Sequence, residues 1–302
     1  MNKFLSLTIT ICTLFITSPL NTFRGSSAPY ISGDTFRSIA KIIYDEEHQH
    51  LNIHTIKAGD IVFVKTDYLP KFIIELFPLI KKPIILVVHN SDYGIPGPIE
   101  HKVFTDFLNN SNLIALFGQN VENFEHPKLF SIPIGIANRC WPHGDISIFS
   151  KILENIPTEK PYLLYMNFSP GTYPKERPYV FDLFKNKPFC TVSSPKTLAS
   201  YLYEMAQHKF TLSPRGNGLD CHRTWEALLV GSIPIVKTST LDVMYKNLPV
   251  LIINDWSDIT EEFLNQKYIE IQQKKYTNQK AFASYWLKKI QKKQQKWLKT
   301  NL

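Results

Sequence analysis

The chain has 302 residues, 44% of them hydrophobic and 20% charged, with a formal net charge of +8. That length accommodates one large or two medium domains with an ample core, and no internal repeat is evident. The four cysteines, Cys12, Cys140, Cys190 and Cys221, show no metal-ligand spacing, and buried free thiols are the expectation. The basic residues are not interleaved with any nucleic-acid-binding motif, so no nucleic-acid partner is expected.

In chain order, residues 1–28 come first. Lys3 followed by the apolar run 4–16 reads as a targeting segment, too short for a comfortable span. It is either a signal peptide ending at Ser26-Ser27-Ala28 or an uncleaved anchor extended by Pro19, Leu20 and Phe23. The expected location follows: the secretory pathway or a membrane, Golgi-like lumen in a eukaryote and inner-membrane anchored in a bacterium. Residues 29–155 form the first domain. Strands are predicted at 61–65, 84–89, 113–117 and 129–133, with helices at 69–80 and 103–109. Residues 150–161 read as a linker. The second domain, 156–265, opens with a strand at 162–167, then a helix at 198–208 and strands at 209–213, 233–236 and 250–253. Residues 256–273 are predicted helical. Strand–helix alternation of this kind specifies parallel α/β layers. The tail, 266–302, is lysine-rich: between 267 and 299 lie ten lysines and one acid, Glu270. Tyr285, Trp286, Ile290, Trp297 and Leu298 recur there at near-helical spacing, which predicts amphipathic helices packing back across the domains. Their lysine face could also attract an anionic membrane.

The most specific stretch runs from Ser213 to Val236. Pro214, Gly216 and Gly218 make an irregular loop after a strand. Asp220 is the expected N-cap of a helix over 221–230, and Gly231 the expected left-handed stop. A glycine loop opening a helix N-terminus suits an anion such as phosphate. Arg223 lies in the first turn, where the helix dipole disfavours a cation unless an anion is near. Glu226 shares its face, opposite Trp225, Leu228 and Leu229. The polar face thus offers the amides of Gly216, Asn217 and Gly218, with Arg215, Arg223 and one carboxylate, a set for a nucleoside diphosphate and its ribose. The bland reading is a surface Arg223–Glu226 pair.

Ser213, Pro214, Arg215, Gly216, Arg223, Glu226, Ala227, Leu228, Gly231, Ile233 and Pro234 resemble the C-terminal signature of exostosin-like glycosyltransferases (family 47). The segment 132–144 is similar to one found upstream in small exostosin-like proteins. Alternative-type fucosyltransferases carry a related arrangement but fit Arg215-Gly216 less well. The resemblance implies a GT-B fold, two Rossmann-like domains facing a cleft, with the donor held by the C-terminal half and the acceptor by the N-terminal half. It implies inverting transfer without an obligatory Asp-x-Asp metal site, and the chain contains no Asp-x-Asp. Arg215, Arg223 and Glu226 would then be donor contacts. No cofactor beyond a UDP- or GDP-sugar donor is expected, and the metal expectation is none.

Ligands of open α/β sheets bind beyond the carboxyl ends of the strands, which singles out three loops. After strand 84–89 come His89, Asp92 and Tyr93. Asp92 is the first candidate for the general base that takes the acceptor proton, and His89 the second. The 134–145 loop adds Asn138, Arg139 and Trp141 for sugar contact, with His143 and Asp145 as further base candidates. The 167–177 loop offers Lys175 and Arg177 to a departing diphosphate. Two other functions compete: a non-catalytic glycan-binding protein on the same scaffold, and a sugar-nucleotide epimerase or hydrolase.

Overall fold

The computed structural model describes residues 24–301; the targeting segment expected over 1–28 and Cys12 lie outside the described residues, apart from 24–28. Two parallel five-stranded sheets organise the chain. The first comprises β1 (Ile42–Tyr44), β2 (Ile61–Lys65), β3 (Ile84–His89), β4 (Leu113–Gly118) and β5 (Leu129–Ser131), in sequential order. The second comprises β6 (Tyr162–Met166), β7 (Cys190–Val192), β8 (His208–Leu212), β9 (Ile233–Lys237) and β10 (Leu251–Ile253). Its order is β10-β9-β8-β6-β7, so the chain leaves β6 on one side and returns on the other. The gap between β6 and β8 is therefore a topological switch point, where strand ends splay and ligands bind.

β3 (IILVVH) is buried along its whole length because both faces of its sheet are covered. Alternate residues feed different cores. Val62, Val64, Leu86 and Val88 pack with Phe72, Phe77, Phe104 and Phe107 on one face. Phe63, Ile85, Val87 and Phe117 face the other way, into a cluster that includes Trp225 and Tyr245 of the second half and Trp286 and Ile290 of the tail. The two halves thus share one apolar core. The tail helix, Ala283–Asn301, crosses back over the first sheet, and Gln294 Nε2 donates to Gly59 O at 2.8 Å. Lys288, Lys292, Lys296 and Lys299 remain exposed on its outer ridge. No described helix is long and apolar enough to cross a membrane.

Several expectations are corrected. The 69–80 helix is broken into α, π and 3-10 turns as Leu69–Lys71, Phe72–Leu76 and Phe77–Leu79, because Pro70 and Pro78 each remove a backbone donor. The helix predicted at 198–208 stops at Ala206, and His208 already opens β8. The linker expected at 150–161 begins later, since Asp145 caps a helix over Ile146–Leu153. The helix after the glycine loop runs His222–Leu229, and its cap position is Cys221, not Asp220. Gly231 is left-handed, with φ +73°, and Ser232 N–H reaches Ala227 O at 2.9 Å as in a Schellman stop. Cys140, Cys190 and Cys221 are free thiols.

Candidate active site

The glycine loop sits at the switch point, and Arg177 builds it from below. Its Nε donates to Arg215 O at 2.8 Å, NH2 to Pro214 O at 3.4 Å and NH1 to Ser169 O at 3.2 Å. Ser213 Oγ and Thr224 Oγ1 close the loop onto the helix at 2.8 Å. Arg177 is buried and pairs with no carboxylate among the described residues; burial first and Arg223 second push its pKa down. Arg223 donates its Nε to Asn167 O at 3.0 Å, while its NH1 is buried with no partner. Both guanidiniums lie 5.6 Å from the Phe168 ring centroid. An unsatisfied buried N–H costs on the order of 1–3 kcal/mol, a cost an anion in the cavity would remove.

That cavity measures about 460 Å³ and is lined by Arg177, Arg223, Glu226, His143, Lys196 and Gly216 to Gly218 among others. Glu226 is buried against the cavity wall, not on an open polar face as expected, and Thr224 through Leu229 are all buried. Tyr201 donates its hydroxyl to Glu226 Oε2 at 2.9 Å. Burial raises the Glu226 pKa, and Tyr201 and Arg223 oppose that rise. The surface Arg223–Glu226 pair is not formed. Arg215 reaches across the seam, its NH2 3.6 Å from Glu122 and its guanidinium 4.7 Å from the Tyr173 ring centroid; its Nε is also buried without a partner. Lys175 is exposed and outside the cavity, whereas Lys196, unmarked by any motif, lines it.

A second cavity of about 530 Å³ opens on the first-domain side, lined by Arg24, Glu46, Glu47, Lys65, Asn90, Asn138 and Trp141 among others. Asn138 is held by its neighbours: its Oδ1 accepts from Asp34 N at 2.8 Å and its Nδ2 donates to Asn90 Oδ1 at 3.0 Å. The Trp141 ring is 58% exposed, free to stack on a ligand, and lies near the His143 ring. Tyr93 is exposed and lines neither cavity, and Arg139 reaches Ser26 O at 3.5 Å. Asp92, Ile134 and His222 line both cavities and mark their junction. There Gly218 lets the halves touch: a Cβ on it would lie 2.6 Å from Asn120 Nδ2 and 3.2 Å from Asp92 O.

The base candidates separate by their partners. His89 is fully committed: its Nε2 donates to Pro133 O at 3.0 Å and its Nδ1 accepts from Asn90 N at 2.7 Å. Burial lowers its pKa to about 4. Neither nitrogen has a lone pair to spare. Asp145 is spent as a cap, accepting from Ser147 N at 2.9 Å and Ser147 Oγ at 2.7 Å, outside both cavities. His143 lines the switch-point cavity and not the second one. Asp92 sits at the junction, where Asn217 Nδ2 donates to its Oδ2 at 3.3 Å. His222, absent from the sequence-based candidates, joins it.

Asp220 does something the sequence did not reveal. Its carboxylate accepts from Ile134 N at 2.8 Å, Cys221 N at 2.9 Å and Trp225 Nε1 at 2.8 Å, so it stitches the two halves together. Complete burial raises its pKa to about 6 against those bonds. Among the described residues one trio could hold a metal ion, Asp45, Glu47 and His48, and Arg37 already bridges its two carboxylates.

Residues 183–301 match the model of the RXYLT1 C-terminal domain. Among solved structures, the GtfA/B complex is similar at a TM-score of 0.39 and 12% identity, covering 80% of this chain and 58% of that one. TarM is similar at 0.36 and 12%, covering 77% and 55%. The UDP-GlcNAc 2-epimerase of Methanocaldococcus jannaschii is similar at 0.31 and 10%, covering 72% of each chain. The chain spans little more than half the length of the first two, and TM-scores this low carry no functional weight. No curated protein matches. The matched residues, 183–301, hold the second sheet from β7 onward and the crossing helix, so the similarity to the RXYLT1 C-terminal domain covers that part of the chain.

Proposed function

We propose that this protein is an inverting glycosyltransferase that moves a sugar from a UDP- or GDP-sugar to a hydroxyl of a glycan or glycoconjugate, without an obligatory metal. The carrying observation is the pair of guanidiniums, Arg177 and Arg223, that line the switch-point cavity without a carboxylate partner among the described residues, one with an unpartnered buried N–H. That arrangement suits a pyrophosphate, and the cations would stabilise the leaving nucleoside diphosphate as a metal does elsewhere. Glu226 lines the same cavity beside Tyr201 and would accept from ribose hydroxyls. The second cavity, ringed by charged groups and the open Trp141 face, suits a hydroxyl-rich acceptor.

Calorimetric titration of the folded chain with UDP, GDP and their sugars tests this. We expect micromolar binding of one nucleotide, weakened about 100-fold or more by Arg223→Ala with Glu226→Ala, since each charged hydrogen bond contributes about 1.5–3 kcal/mol. No binding by folded wild type would sink the donor-site reading and favour a glycan-binding scaffold.

The outer ridge of Ala283–Asn301 carries Lys288, Lys292, Lys296 and Lys299 and no carboxylate, which supports contact with an anionic membrane surface. Flotation with anionic vesicles should fall when these four become Gln; equal binding to neutral vesicles would refute it.

A further inference from the structure

His222 belongs to none of the residues that carry the family signature, yet it occupies the one place where donor and acceptor cavities meet. Its Nδ1 lies 2.7 Å from Gly135 O. A carbonyl oxygen only accepts, so Nδ1 carries the proton and Nε2 keeps its lone pair. Nε2 makes no hydrogen bond among the described residues. The carbonyl that sets this tautomer is itself held in place. Gly135 has φ +70°, and a Cβ on it would lie 2.2 Å from Ile31 O, so only glycine allows the approach.

The surroundings keep the ring neutral until it is needed. His222 is the first residue of the helix His222–Leu229, whose dipole opposes a positive charge there. Burial lowers its pKa, Gly135 and Asp92 pull the other way, and Arg223 adds to the lowering. His89 and His143 are the other titratable neighbours felt across the seam. Asp92, on the loop after β3, lines both cavities with it.

We propose that His222 is the general base of the transfer. This rests on the glycosyltransferase reading above. Nε2 takes the proton of the acceptor hydroxyl while that oxygen bonds to the anomeric carbon of the donor. The bond from that carbon to the diphosphate oxygen breaks, and its electron pair leaves with the nucleoside diphosphate beside Arg177 and Arg223. The imidazolium so formed is stabilised by the Asp92 carboxylate, which acts as a positioning residue. Because Gly135 belongs to the first domain and His222 to the second, the base is correctly oriented only when the two halves are in register.

The test uses the full chain, wild type and His222→Gln, whose amide can still donate to Gly135 O but cannot take a proton. Nitrogen NMR of the imidazoles should show His222 with a protonated Nδ1 and a titrating Nε2; the opposite tautomer would overturn the proposal whatever the turnover. Calorimetry with UDP and GDP should give His222→Gln an affinity within about threefold of wild type. Nucleoside diphosphate release from UDP- and GDP-sugars, with water as acceptor, should fall about 100-fold or more, and the acidic limb of its pH profile should disappear. A variant that binds nucleotide and keeps both kcat and that limb refutes the base assignment alone. Failure of wild type to bind either nucleotide refutes the glycosyltransferase reading with it.

Discussion

Arginines in the two halves of this molecule are used in opposite ways. In the first half Arg24 lies 2.7 Å from Asp34 and 2.6 Å from Glu46, and Arg37 lies 2.7 Å from Asp45 and 2.9 Å from Glu47. In the second half Arg215 reaches Glu122, but Arg177 and Arg223 hold backbone carbonyls, with the Cys221 thiol beside Arg177, and pair with no carboxylate among the described residues. A carbonyl orients a guanidinium without neutralising it. The first arrangement consumes charge to fix a fold; the second fixes a loop and leaves its charge without a counter-ion among the described residues.

Truncating arginines in turn would break or sharpen this contrast. Arg37→Ala leaves the buried Asp45 carboxylate uncompensated and should cost about 3–5 kcal/mol in urea unfolding. A loss below about 1 kcal/mol would mean the first-half pairs are not structural. A second, slightly smaller effect concerns the seam. Asp220 has a folded pKa raised to about 6 from 3.8. Between those values the folded state binds the extra proton, so the contribution is present below about pH 4 and lost as pH rises through 6. Stability should fall by up to about 3 kcal/mol across that window, and Asp220→Asn should abolish the slope; an unchanged slope would move it to another group. Smallest is Arg223→Ala, which removes one bond to Asn167 O and one unpartnered N–H, so stability should change by less than about 1 kcal/mol while nucleotide binding is lost. If instead its stability falls as far as that of Arg37→Ala, the contrast fails.

β2 and β3 of the first sheet were readable because each is a short β-branched run bounded by turn residues, and burial on both faces demands that pattern. β1 and β7 were missed: three residues each, at sheet edges, they carry too little periodicity to stand out. Arg223 and Glu226 were found by their helical spacing, and both line the switch-point cavity. Lys175 was proposed from its place on a polar loop but does not line the cavity that Lys196 lines. Nothing local distinguishes the two, because each is a lysine on an irregular segment. His222 could have been noticed as a histidine at a helix start, a poor place for a protonated ring.

By itself the sequence determined the strand–glycine loop–helix–glycine–strand unit from β8 to β9 and the family it resembles. Those features depend on backbone freedom, helix spacing and dipoles within about 25 residues, so neighbours along the chain suffice to specify them. Tertiary structure alone decided which polar groups stay available. Asp220 looked like a local cap until Ile134, 86 residues away, claimed its carboxylate. His89 looked like a base until Pro133 and Asn90 took both nitrogens. Hydrogen-bond capacity is finite, and which partner uses it is settled only when distant segments pack.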